Sequence, residues 1–322
     1  MSKSHIFYKN LNKNIFLIFS ISLAYGYLIN IGIYGFSNDY YGEYYKSNLI
    51  YNHSYREFGS LLSTLTVWNI NFGLFLTSFF LAFTVGIFFY YFLVFKNKFL
   101  LITFLIFYII ILHIHPIIMS TSGAMRQGWT MSFIFLSFAM ILKEKRFSPL
   151  FFMFVALFLH KSGLFYFFIF VTTYSFIFLI KFFSNKKIIL IFTGIFIFLL
   201  LLFSYEAPKE STKIIEGDFR FFWLFINIFY ILIYLSIKKI YDIKNEKFIA
   251  LFCFFFSCAA PAFLFMGYNW EYERLNMVMG VVYVLIFGSF FKKNSINIYL
   301  FISLSFYLFL TVYQGMYSKG LT

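Results

Sequence analysis

Charge is what this chain has least of. Charged side chains make up 12% of its 322 residues and hydrophobic ones 62%, with a mean hydropathy of +0.83. A soluble globular domain is about half apolar and about a quarter charged. The composition excludes an ordinary soluble fold and points to an all-α, polytopic integral membrane protein. Cysteine is scarce too. Cys253 and Cys258 share one apolar run and offer neither a disulfide framework nor metal-ligand spacing. No A-x-A-like cleavage site follows the first apolar run, which therefore reads as an uncleaved span. No Gly/Ser linker, soluble domain or convincing internal repeat interrupts the chain, so residues 1–322 read as a single transmembrane domain. Walker A, GxGxxG, nucleophile-elbow and H-E-x-x-H patterns are missing. His113 and His115 stand two apart, so on a helix they face different directions and make a poor zinc pair. No metal and no cofactor is expected.

What the chain has in excess is phenylalanine, 55 residues, and positive charge, net +14. The phenylalanines read as compositional bias. In a soluble chain the charge would suggest nucleic acid. Here no nucleic-acid partner is expected, because the charge falls in inner loops. Apolar runs lie at 15–34, 72–95, 99–119, 125–142, 149–159, 164–180, 188–205, 221–237, 248–266, 275–291 and 296–313, giving about 11 transmembrane helices. The stretch 149–182 is long for one span and short for two. With the N-terminus cytoplasmic and this stretch a two-span hairpin, the inner segments hold 17 of the 26 basic residues and 3 of the 12 acids. The outer segments then hold 9 of each. One span would place the nine lysines that follow on the outside, so the positive-inside rule favours the hairpin. The first outer loop is 35–71 and the second 206–220. Inner loops are short, which leaves the outer face for chemistry.

The arginines carry the sharpest signal. Of Arg56, Arg126, Arg146, Arg220 and Arg274, only Arg146 is inner; random placement would do this roughly one time in thirty. A guanidinium binds phosphate bidentately and stays charged in a low-dielectric cleft. The alternative is snorkelling to the headgroups or pairing with a nearby glutamate. Arg126 and Gln127 follow Ser120-Thr-Ser-Gly-Ala-Met at the start of a helix. A cation beside free helix N–H groups suits an anion; a capped helix start with its arginine at the headgroups is the plainer reading. His160-Lys161-Ser162-Gly163 forms the hairpin tip. His and Lys are costly at membrane depth, so the tip is either interfacial or functional. Asp39, Glu57, Glu273 and Arg274 lie among tyrosines and tryptophan in outer segments. Aromatic rings stack on sugars, and a carboxylate accepts from sugar hydroxyls or deprotonates them. A Tyr-rich interfacial belt with a local Glu–Arg pair accounts for the same residues.

The run from Arg126-Gln-Gly-Trp-Thr through Leu142-Lys-Glu-Lys-Arg-Phe to Leu159-His160-Lys161-Ser162-Gly163 resembles the EpsG family of bacterial polysaccharide polymerases, which are Wzy-like proteins. That family shows R-Q at a helix start, a short basic inner turn, then an apolar helix ending in H-x-S/T-A/G. Asp39-Tyr40 and Glu57-x-Gly59 resemble its first outer loop. Gly163 stands where Ala is commoner, which looks like a small change.

The resemblance implies a GT-C-like glycosyltransferase that polymerises undecaprenyl-pyrophosphate-linked repeat units for O-antigen, capsule or exopolysaccharide, on the outer face of the bacterial inner membrane. A lipid-linked oligosaccharide would be its substrate, membrane lipid its surroundings, and a chain-length regulator and a flippase its partners. Asp39 and His160 are the candidates for chemistry: Asp39 as base, His160 as a contact to the leaving group. Arg126, Gln127, Lys161, Ser162, Arg220, Arg274, Glu57 and Glu273 are the candidates for binding substrate. A flippase of the same lipid-linked sugar would also need cations for pyrophosphate, but should carry charge deep in several spans. A membrane acyltransferase ranks third, with only His160 well placed for it, and a scaffold last.

Overall fold

The computed structural model describes residues 3–32, 70–94, 101–123, 125–145, 147–183, 185–204, 219–236, 244–290 and 305. All regular structure among these residues is helical. The helices are α1 (Lys3–Asn30), α2 (Ile70–Phe89, continued by a π-helical turn Tyr90–Val94), α3 (Leu101–Leu112) and α4 (His115–Ile118, followed by a π-helical turn Met119–Gly123). After these come α5 (Met125–Leu142), α6 (Ser148–Leu159), α7 (Lys161–Leu179), α8 (Lys186–Ser204), α9 (Arg220–Ser236), α10 (Lys244–Ala259), α11 (Pro261–Phe265) and α12 (Asn269–Phe290). Every apolar run from 15–34 to 275–291 contains helix; the last, 296–313, lies outside the described residues apart from Ser305.

Among the described residues, four stretches are long and apolar enough to cross a membrane: Phe72–Leu93, Lys161–Leu179, Lys186–Phe203 and Glu246–Phe265. Their burial differs sharply. The Glu246–Phe265 window is 83% buried within the protein and the Lys186–Phe203 window only 17%. α8 thus turns Phe192, Ile195, Phe196 and Phe203 outward, a surface suited to an apolar solvent.

The run 149–182 is two helices, α6 of 12 residues and α7 of 19, and of these α7 alone is long enough to cross a membrane. Pro149 opens α6, where the missing N–H costs nothing. His160 closes it with an extended backbone, φ −159 and ψ 152. Three other runs depart from the expected limits. α1 starts well before its apolar run and takes in the polar segment from Lys3. The run 99–119 is broken after Leu112, next to Pro116, which has no N–H to give. In 248–266, Pro261 interrupts the helix for the same reason, and Gly267, at φ 80, then ends α11. Tyr268 N donates to Phe263 O at 2.8 Å and Gly267 N to Leu264 O at 3.0 Å, a Schellman stop. The same pattern ends α5 with Glu144 at φ 61, Lys145 N donating to Met140 O and Glu144 N to Ile141 O, both at 3.0 Å.

The chain divides into two compact units, Met1–Leu164 and Phe165–Thr322. In the first, α1 packs on α2 and α2 on α5. Gly86 makes room for the Ile18 side chain and the Tyr108 ring, where any Cβ would collide; small residues allow such close helix approach. The Tyr108 hydroxyl donates to Ala82 O at 2.7 Å and lies 2.9 Å from Ser22 Oγ, tying α3 to α2 and α1. Phe72, Phe75, Phe79 and Phe83 form a ladder of stacked rings along one face of α2, at 6.5, 6.1 and 6.1 Å. In the second unit, α10 is buried nearly throughout. Phe165, Phe170 and Phe176 of α7 meet it edge-on, a favoured aromatic geometry. Part of the phenylalanine content is therefore structural.

Candidate functional site

In the first unit the geometry begins with the α5–α6 pair. Ser137 Oγ donates to Pro149 O at 2.8 Å, and the Phe133 and Phe152 rings are 6.2 Å apart. Both contacts fit one antiparallel register. Arg126 precedes Ser137 by 11 residues, and His160 follows Pro149 by 11. At about 1.5 Å per residue each lies about 16 Å from the tie, in the same direction. Arg126 and His160, 34 residues apart in sequence, stand at the same level of the helix pair.

Arg126 is half-buried and Gln127 buried, in the first turn of α5. The π-helical turn lies close over that turn. A Cβ on Gly128 would collide with the Ser120 carbonyl and come within 3.1 Å of the Thr77 methyl, so only glycine allows this approach. Thr130 Oγ1 donates to Arg126 O at 3.1 Å, and Trp129 packs on Phe80 at 4.9 Å.

His160 caps α7 with its side chain. Its Nδ1 accepts the Ser162 N–H at 3.2 Å and lies 2.8 Å from Ser162 Oγ. This is the usual N-cap arrangement, made by an imidazole where Ser or Asp is commoner. Gly163 N donates to His160 O at 2.8 Å. A Cβ on Gly163 would run into the Ala156 carbonyl group, so the residue that looked like a small change makes this corner possible. Ser162 is buried and Lys161 exposed. Asp39 and Glu57 lie outside the described residues.

The second unit holds Arg220, Glu273 and Arg274. Glu273 is buried, and its Oε1 accepts the Phe219 N–H at 3.2 Å. It thereby anchors the start of α9, whose first helical bond runs from Trp223 N to Phe219 O. The Arg274 guanidinium lies 4.1 Å from the centre of the Trp270 ring, a cation–π pair. The Arg220 guanidinium is 5.2 Å from the Phe221 ring.

Behind Glu273 runs a polar spine that sequence reasoning missed. Asn227 Nδ2 donates to Tyr272 Oη at 2.8 Å and to Asn276 Oδ1 at 3.0 Å. Tyr283 Oη donates to Asn227 Oδ1 at 2.9 Å and lies 2.6 Å from Ser257 Oγ. Burial raises the Tyr272 phenol pKa; the Asn227 hydrogen bond opposes this and the Glu273 carboxylate adds to it. Tyr272 is therefore a neutral hydroxyl near neutral pH. The missed signal was spacing: Tyr272, Asn276 and Tyr283 differ by 4 and 7 and share one face of α12. Among the described residues, no three His, Cys, Asp or Glu side chains gather as metal ligands do.

Comparisons of the chain with protein-family models, curated proteins and solved structures find no match.

Proposed function

We propose that this protein polymerises polyprenyl-diphosphate-linked oligosaccharide units at the outer face of a bacterial inner membrane, as an EpsG-type, Wzy-like glycosyltransferase. In this reading the chain crosses the membrane about 11 times in a GT-C-like arrangement, with its N-terminus cytoplasmic. The observation that carries it is the level placement of Arg126 and His160 on α5 and α6. From Leu142, at the inner end of α5, Arg126 is 16 residues away, or about 24 Å. The hydrocarbon core is about 30 Å thick. Both side chains then sit just under the outer headgroups, where a lipid-borne diphosphate lies.

The chemistry follows from those groups. An acceptor sugar hydroxyl attacks the anomeric carbon of the donor. The bond from that carbon to the diphosphate oxygen breaks, and the diphosphate leaves with the electron pair. Arg126 meets the charge that develops there; a bidentate guanidinium suits it better than an ammonium. Asp39 takes the acceptor's proton. His160, Lys161 and the buried Gln127 surround the leaving group, and Arg220, Arg274 and Glu57 bind substrate elsewhere.

Deletion of the gene and gel analysis of surface glycan test this reading. A polymerase leaves single repeat units and removes the ladder. Loss of all units indicates a flippase or an earlier enzyme, and an unchanged ladder removes the reading.

A further inference from the structure

α5 is enclosed on almost every side. Of residues 126–142, only Arg126, Trp129, Phe133, Leu136 and Met140 are not buried, and all five are half-buried. They are spaced by 3, 4, 3 and 4, which puts them in one line along the helix. α2 and α6 both pack on α5. Phe80 of α2 lies 4.9 Å from Trp129 and 5.6 Å from Phe133, and Phe152 of α6 lies 6.2 Å from Phe133. The line is thus the floor of a slot one side chain wide, with aromatic rings along it. A helix that merely meets lipid looks different: α8 turns out Phe192, Ile195, Phe196, Leu199 and Phe203 over a broad face.

We propose that this slot seats the single polyprenyl tail of a diphosphate-linked substrate, with the diphosphate at Arg126 and the tail running past Trp129, Phe133 and Leu136 to Met140. That the head is a diphosphate rests on the polymerase reading; the path of the tail rests on the slot. Charge stands at one end of the line and apolar side chains fill the rest, which matches an anionic head on one long chain. Length and width separate this lipid from a phospholipid. Arg126 and Met140 are 14 residues apart, or about 21 Å. One leaflet is about 15 Å of hydrocarbon, half of the core, so an acyl chain that enters at Arg126 ends before the slot does. A phospholipid also brings two chains where there is width for one.

The probes are polyprenyl diphosphates with a diazirine on the last isoprene unit, one with a tail as long as the slot and one with a tail half as long. Each is photolysed with the full-length protein in nanodiscs of phosphatidylglycerol and phosphatidylethanolamine, and peptide mass spectrometry locates the adducts. The long probe should mark Leu136 or Met140 and the short one Trp129 or Phe133. Excess unlabelled undecaprenyl diphosphate should remove both sets, and excess phosphatidylglycerol neither. Arg126→Ala should lower both yields roughly tenfold or more. Adducts as heavy on the outward face of α8 as on α5 overturn the proposal, since the slot is then ordinary lipid-facing surface. So do adducts of both probes on the same residues, displacement by phosphatidylglycerol, or an unchanged yield from Arg126→Ala. If Arg126→Ala does not fold, the length dependence in the wild type decides. Failure of the polymerase reading shows elsewhere, in the glycan of the deletion strain, and leaves the adducts on α5 standing.

Discussion

Ser137 donates its hydroxyl to the carbonyl of Pro149 at 2.8 Å, and the register of this bond brings Arg126 level with His160. A guanidinium at that level has two tasks, charge and geometry. Arg126→Lys keeps the first and loses the second. Both Arg126→Lys and Arg126→Ala should remove most of the glycan ladder at normal protein level, with a loss of roughly 100-fold or more in polymerisation by purified protein. Wild-type ladders from both would take Arg126 out of the mechanism.

The proposed mechanism gives the acceptor's proton to Asp39. Asp39→Asn keeps size and polarity but cannot take it. Purified Asp39→Asn should lose roughly 100-fold or more of its turnover while binding lipid-linked donor as tightly as wild type. Turnover at the normal rate would pass the role to Glu57.

The proposed sidedness rests on the charge count. Lys145, exposed after α5, should lie inside, and Glu271, in the first turn of α12, outside. In intact cells a membrane-impermeant thiol reagent should label Glu271→Cys and spare Lys145→Cys. The reverse pattern would invert the topology and move the site to the wrong face.

Gly163 has no room for a methyl group against the Ala156 carbonyl. Gly163→Ala should cost roughly 1–3 kcal/mol through overpacking and move the His160 corner. Lower thermal stability and reduced polymer together are expected. A variant as stable and active as wild type would mean that the corner is looser than it looks.

Asn227 joins Tyr272, Asn276 and Tyr283. Asn227→Ala takes a hydrogen bond from each of three buried partners and leaves Tyr283 only Ser257, at roughly 1–3 kcal/mol for each group left unsatisfied in water-soluble proteins and less in membranes. Tyr283→Phe removes one hydroxyl and should cost roughly 1 kcal/mol. Thermal unfolding in detergent should rank wild type above Tyr283→Phe and Tyr283→Phe above Asn227→Ala. Equal stability of all three would mean that the spine contributes nothing to folding.

Helices were legible in the sequence because hydropathy acts locally. An apolar run must satisfy its own backbone, and a helix is how one segment does so. The break at His160 was legible as well, as a His-Lys-Ser-Gly stop in an apolar stretch.

Tertiary packing decided the rest. No spacing rule links Arg126 to His160 across a turn; their common level depends on where α6 slides along α5, and a serine hydroxyl and a pair of phenylalanine rings set that. Gly163 reads like an alanine until the Ala156 carbonyl is set beside it. Glu273 reads as a substrate contact or a local partner of Arg274 until its carboxylate is found on the Phe219 N–H. Asn227 has no meaning alone in α9, since its partners come from α12 and a hydrogen bond needs both ends. Sequence by itself determined which segments are helical and which side chains are out of place in them. Only the fold could decide which of those side chains meet, because side-chain contacts across helices depend on register and close approach, and neither is written in any one segment.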